Sequence, residues 1–111
     1  MELLGLTAHA LAEMFRRGEV TSQEVTEALL ERIDEVDQRV GAYLTVAREE
    51  AGSAAEEADR RLRSGEDSPF LGVPLAIKDN ICTQGIRTTC ASKILNNFFP
   101  PYDATVIRRL K

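Results

Sequence analysis

The sequence predicts an α/β chain that is incomplete as it stands. Three observations lead there. Apolar residues recur at helical spacing over 7–17 and 22–40. Two short runs, 42–46 and 73–78, are rich in β-formers or continuously apolar. The chain then stops about two turns into a final helix, with no strand after it to complete a crossover. The expected organisation is the first portion of a single domain over 1–111. It is helical over about 1–64, has a strand-and-lysine segment over about 70–95, and begins a further helix at 103–111.

The first helix starts after Thr7, a good N-cap, and carries Ala8, Leu11, Ala12 and Phe15 at helical spacing until Gly18 ends it behind Arg16 and Arg17. The second starts at Thr21 or Ser22, where Thr21 with Glu24 three residues later forms a capping box. Val25, Leu29, Ile33, Val36 and Val40 make one apolar stripe over roughly five turns before Gly41. Residues 42–46 (AYLTV) predict a strand. Residues 47–64 predict a third helix with a thin apolar face and a weak point at Gly52. Residues 64–69 (SGEDSP) form a loop. A buried strand follows from about 73 to 78, with Pro74 at its start or at an edge because proline donates nothing to a ladder. A short helix is expected around 91–95. Asp103 is expected to N-cap the last helix, whose apolar face is Val106, Ile107 and Leu110.

Composition narrows the function classes. Hydrophobic residues make up 43% and charged residues 29%, an ordinary globular balance. The net charge of −4, from 14 basic and 18 acidic side chains, suits a phosphate backbone poorly, so any RNA would be gripped by another chain or domain. Arg60, Arg61 and Arg63 stand among Glu56, Glu57 and Asp59, which predicts a solvated helix face rather than a nucleic-acid patch. Cys82 and Cys90 lack metal-site spacing and His9 is the only histidine, so neither a structural metal nor a disulfide is expected; both thiols are taken as small half-buried apolar groups in a reducing compartment. Neither a signal peptide nor a membrane span is expected, and a cytoplasmic location is the default.

Lys78 is the one basic residue closing a strongly apolar run. Alternation along a strand sets Ala76 and Lys78 on one face and Val73, Leu75 and Ile77 on the other. A lysine partly desolvated at the mouth of a sheet loses its proton more readily, which is what a base requires. On pattern alone, a solvated lysine at a strand end is the favoured alternative. Asp79 and Asn80 have the character of turn residues. A carboxylate at Asp79 would oppose a base at Lys78 unless it pointed away. Ser92 and Thr89 suit a helix start better than a nucleophile, since no GxSxG elbow or Gly-rich cradle accompanies them.

The run Gly72-Val73-Pro74-Leu75-Ala76-Ile77-Lys78-Asp79-Asn80 resembles the segment that carries the active-site lysine of the amidase-signature family. The continuation from Ile81 to Leu95, and Pro100-Pro101-Tyr102-Asp103-Ala104-Thr105-Val106, are similar to the branch of that family found in glutamyl-tRNA(Gln) amidotransferases rather than to fatty-acid amide or indoleacetamide hydrolases. The resemblance extends over nearly the whole chain, and its specific part is 72–106. It implies helices leading into a mixed sheet covered by helices. It also implies a Ser-cisSer-Lys triad in which Lys78 is the lysine, with no cofactor or metal in this chain. In that branch the implied work is hydrolysis of glutamine to supply ammonia. Two partner subunits, B and C, are implied, one using ATP and Mg²⁺ to convert Glu-tRNA(Gln) to Gln-tRNA(Gln), with the tRNA held through the complex. The family's Gly/Ser-rich segment is absent from these residues, so both serines and the oxyanion hole are missing and the chain alone is expected to be inactive. Two alternatives stand beside this. One is part of a stand-alone amidase acting on another amide. The other is a non-catalytic helical interaction module binding through the stripe of residues 22–40.

Overall fold

Residues 2–111 are described by a computed structural model. In chain order the elements are a 3-10 turn at Glu2–Gly5, α1 (Ala8–Arg16), α2 (Ser22–Val40), α3 (Arg48–Arg63), a 3-10 turn at Lys93–Leu95, and α4 (Thr105–Leu110). They divide between two units, Met1–Ala42 with Ala47–Leu75, and Tyr43–Val46 with Ala76–Lys111.

In the first unit, local signals place the helices. The Thr7 hydroxyl accepts a bond from the Ala10 N–H at 3.1 Å and starts α1. At α2 the Thr21 hydroxyl accepts from Glu24 N–H at 3.1 Å, while the Glu24 carboxylate accepts from Thr21 N–H at 2.7 Å. Gly41, at φ 65°, ends α2 by donating to the Asp37 carbonyl at 2.7 Å. Leu11, Phe15, Val20 and Val25 form the core, with Leu3, Met14, Leu29, Leu62 and Val73 packed on it. The α2 stripe is therefore used unevenly. Val25 is buried, Ile33 and Val36 are half-buried, and Val40 is 68% exposed.

Two tertiary contacts lock this unit, and one corrects the sequence reading. Asp59 does not belong to a solvated face. It is 3% exposed, and its carboxylate accepts from the Ser22 N–H at 2.7 Å and the Gln23 N–H at 3.1 Å. A residue of α3 thus satisfies the free N–H groups at the positive end of α2. The neighbouring Glu57 and Arg60 do pair at the surface, as expected of a charged face. The Ser22 hydroxyl donates to the Gly72 carbonyl at 2.6 Å. Gly72 sits at φ 88°, third in a turn closed by Val73 N–H on the Phe70 carbonyl at 3.1 Å. A Cβ there would stand 3.3 Å from the Phe15 ring and from Ser22 Cβ, so both conformation and space select glycine.

No β-strand occurs among the described residues, so the predicted strands at 42–46 and 73–78 are irregular chain here and the implied mixed sheet is not seen. The physical reason is pairing. An apolar run becomes a strand only against a neighbour that takes its N–H and C=O groups. In the second unit, segments 82–88 and 98–104 do run antiparallel. Ala104 N–H bonds the Cys82 carbonyl at 2.8 Å, Gly85 N–H the Pro100 carbonyl at 3.1 Å, and Thr88 N–H the Phe98 carbonyl at 3.0 Å. Pro100 and Pro101 supply no N–H, and a turn from Thr83 to Ile86 interrupts the other side, so no ladder develops.

The rest of the second unit is held by side chains. Arg87 donates to the Leu44 carbonyl at 2.9 Å, the Thr45 hydroxyl at 3.1 Å and the Asn96 side chain at 2.7 Å. Segment 43–46 is thereby fastened by a guanidinium rather than by a strand. Asp103 does not cap the last helix. Ala104 occupies the cap position, without a side-chain bond. The Asp103 carboxylate instead accepts from Gln84 N–H at 2.7 Å and Lys111 Nζ at 2.8 Å. Of the predicted apolar face of α4, Ile107 is buried, while Val106 and Leu110 are half exposed. No helix among the described residues is long and apolar enough to cross a membrane.

Candidate active site

Lys78 lies in the second unit at the end of a segment without regular secondary structure. Its side chain is exposed, as are Leu75 at 56% and Ile77 at 39%. Among the described residues no hydrogen bond or ion pair engages its Nζ. The water-poor surroundings expected for this amine are not provided by the described residues, which leave 75–78 exposed although Val73 packs on the core. Its main chain, by contrast, is fixed. The Lys78 carbonyl accepts from Ile81 N–H at 3.0 Å, closing a turn with Asp79 and Asn80 at its centre, as the sequence suggested.

Asp79 does more than turn the chain. Its carboxylate accepts from Thr89 N–H at 3.0 Å, from Ala91 N–H at 3.2 Å and from the Thr89 hydroxyl, and its carbonyl accepts from Cys90 N–H at 2.8 Å. Three consecutive backbone N–H groups therefore converge on one acidic residue, the arrangement of an anion nest. The bond from the Thr89 hydroxyl, those from the backbone of Thr89 and Ala91, and the Arg87 guanidinium hold the Asp79 carboxyl below the usual carboxylate range. The nest requires left-handed backbone at Cys90 (φ 51°) and Ala91 (φ 57°). Side-chain-bearing residues adopt that region at a cost of about 1–2 kcal/mol each. Thr89 is 4% exposed within this clamp, so neither its hydroxyl nor its backbone serves a helix start. Ser92 precedes the 3-10 turn Lys93–Leu95 without a side-chain capping bond.

The remaining candidates lie apart from this chemistry. Cys82 and Cys90 are free thiols, Cys82 half-buried and Cys90 exposed rather than half-buried. The Cys82 thiol donates to the Tyr102 hydroxyl at 3.7 Å, which pushes the Tyr102 phenol up. Among the described residues no three His, Cys, Asp or Glu side chains converge as metal ligands. Sequence reasoning found the turn after Lys78. It missed the Asp79 nest and the Arg87 fastening. The usual signal for a left-handed pair, glycine or asparagine, is absent at 90–91.

Comparison with known proteins gives the family. The Amidase family profile matches residues 24–111. The glutamyl-tRNA(Gln) amidotransferase A subunit of Geobacter metallireducens is 55% identical over 111 residues, and those of Desulfosudis oleivorans and Moorella thermoacetica are 53% and 52% identical. Each match covers all of this chain, which spans 23% of the length of these relatives. A solved chain from a vestigial protein complex, studied for the origins of an s-triazine catabolic enzyme, superposes with a TM-score of 0.88 at 27% identity over 95% of this chain and 23% of that one. The strand-poor, helix-led chain with its lysine turn at 78–81 therefore belongs to the amidase family.

Proposed function

We propose that this chain provides the lysine base of a glutamine-hydrolysing subunit in a glutamyl-tRNA(Gln) amidotransferase. The observation that carries it is similarity over the full length of the chain, at 52–55% identity, to subunits of that name. In this reading Lys78, neutral when it acts, accepts a proton through a bridging serine from a nucleophilic serine. The serine attacks the carboxamide carbon of glutamine, ammonia leaves, and water releases glutamate from the acyl-enzyme. Both serines come from outside these residues, as does the cover that would strip water from Lys78. The ammonia passes to partner subunits that use ATP and Mg²⁺ to amidate Glu-tRNA(Gln), and the location is cytoplasmic. The exposed apolar side chains of the lysine segment support an active site finished by further protein, since bare apolar surface at a lysine neither desolvates it nor stays uncovered cheaply.

The test is glutamine hydrolysis by the complete protein that contains this segment. Lys78→Ala is expected to lower kcat by about 10³-fold or more, in line with loss of one member of a catalytic triad, with the melting temperature unchanged. The isolated 111 residues are expected to release no ammonia. A Lys78→Ala protein that keeps its rate, or turnover by the isolated segment, would overturn the reading.

A further inference from the structure

We propose that Asp79 is a positioning residue for Lys78, acting as the internal anion of the nest at 89–91. The proposal rests on Lys78 being the base. A carboxylate adjacent to a lysine would ordinarily pair with it and keep it charged, opposing proton acceptance. Here both Asp79 oxygens are committed elsewhere: Oδ1 to Thr89 N–H at 3.0 Å, Oδ2 to the Thr89 hydroxyl and to Ala91 N–H at 3.2 Å. The charged group facing Asp79 is Arg87, whose guanidinium favours the ionised carboxylate.

These bonds give the Lys78 main chain a fixed origin. Asp79 is the second residue of the turn that Lys78 begins, so the peptide leaving Lys78 is anchored directly to 89–91. The anchor is in turn specific. Cys90 and Ala91 hold left-handed backbone with an acceptor at each N–H, the Asp79 carbonyl for Cys90 and the Asp79 carboxylate together with the Thr89 hydroxyl for Ala91. A lysine with four rotatable bonds and an exposed amine gains its direction from where its Cα is set. A small displacement there is enough to cost about 10²-fold in rate.

The experiment uses the complete protein and its glutaminase rate across pH. Asp79→Ala is expected to lower kcat about 10²-fold, with KM for glutamine changed less than about threefold and the pH limb of the lysine unmoved. Thr89→Val is expected to act in the same direction. The double variant should be no worse than Asp79→Ala alone, because both remove one clamp. Asp79→Asn, which keeps a carbonyl acceptor for Thr89 N–H, is expected to recover part of the rate. Circular dichroism and active-site titration separate these effects from loss of folded protein. An acidward shift of the limb by about 1 unit or more in Asp79→Asn would show direct charge pairing with Lys78 and overturn the proposal. Full activity of Asp79→Ala, beside an inactive Lys78→Ala, would overturn positioning alone. An active Lys78→Ala would overturn the reading of Lys78 and its positioning together.

Discussion

Three acidic residues show how little a carboxylate's place in the sequence says about its work. Asp59 sits among Glu56, Glu57 and Arg60, yet it alone turns inward to the N-terminus of α2. Asp103 has the sequence position of a helix cap and bonds elsewhere. Asp79 looks like an ordinary turn residue and gathers four hydrogen bonds. For Asp59 the expected outcome of substitution is clear. Asp59→Ala leaves two N–H groups at a buried helix end without acceptors and should destabilise the protein by about 2–3 kcal/mol. A urea titration would show the midpoint falling with the slope unchanged. Glu57→Ala, removing an exposed pair, should leave the midpoint essentially where it was by the same measurement. Lys78 stood out in the sequence through the family motif at 72–80, since the apolar run alone suits a solvated lysine equally well. The partners of the three acids were not legible, because the contacts join residues 8 to 37 positions apart, and spacing along the chain carries no signal for them.

At the scale of elements, helices and strands differed in legibility for one reason. Each of the first two helices carries its own start signal in a threonine hydroxyl, and the second has a glycine to end it, so their limits follow from neighbours along the chain. The third, predicted over 47–64, spans Arg48–Arg63 and relies on charge instead, with Glu49 and Glu50 in its first turn and Arg60, Arg61 and Arg63 in its last. The runs at 42–46 and 73–78 have the composition of strands and lack a ladder partner, and composition cannot supply one. Gly52 offers a check on α3. It lies within the helix with open space where a Cβ would be, so Gly52→Ala should raise stability by about 0.5–1 kcal/mol, read as a higher melting temperature. A decrease would mean that the α3 surface at Gly52 is covered in the complete protein.

On the scale of the whole molecule, acid should weaken the second unit. Asp79 and Asp103 are both held below the usual carboxylate range, Asp79 chiefly by the Thr89 hydroxyl and Asp103 chiefly by Lys111. For a carboxylate with a depressed folded value, the stabilisation is complete above the unfolded value of about 3.9 and is lost as pH falls through the folded value. Amide shifts of Thr89, Ala91 and Gln84 should therefore titrate together with loss of structure below about pH 4 and stay flat from pH 5 to 8. Midpoints above pH 4 would contradict the bonding described. The family and the helical organisation were recoverable from sequence, since both are written in contiguous motifs. The division into units was not, because the boundary at 75/76 falls inside a run that reads as one strand. That division bears on any attempt to cut the molecule. Residues 43–46, within the link between α2 and α3, belong with 76–111, where Arg87 grips Leu44 and Thr45. A scission after residue 75 would strand the guanidinium without two of its acceptors, and the pieces would not be modules. The thread is interlaced, and its second half is finished only by a loop from its first.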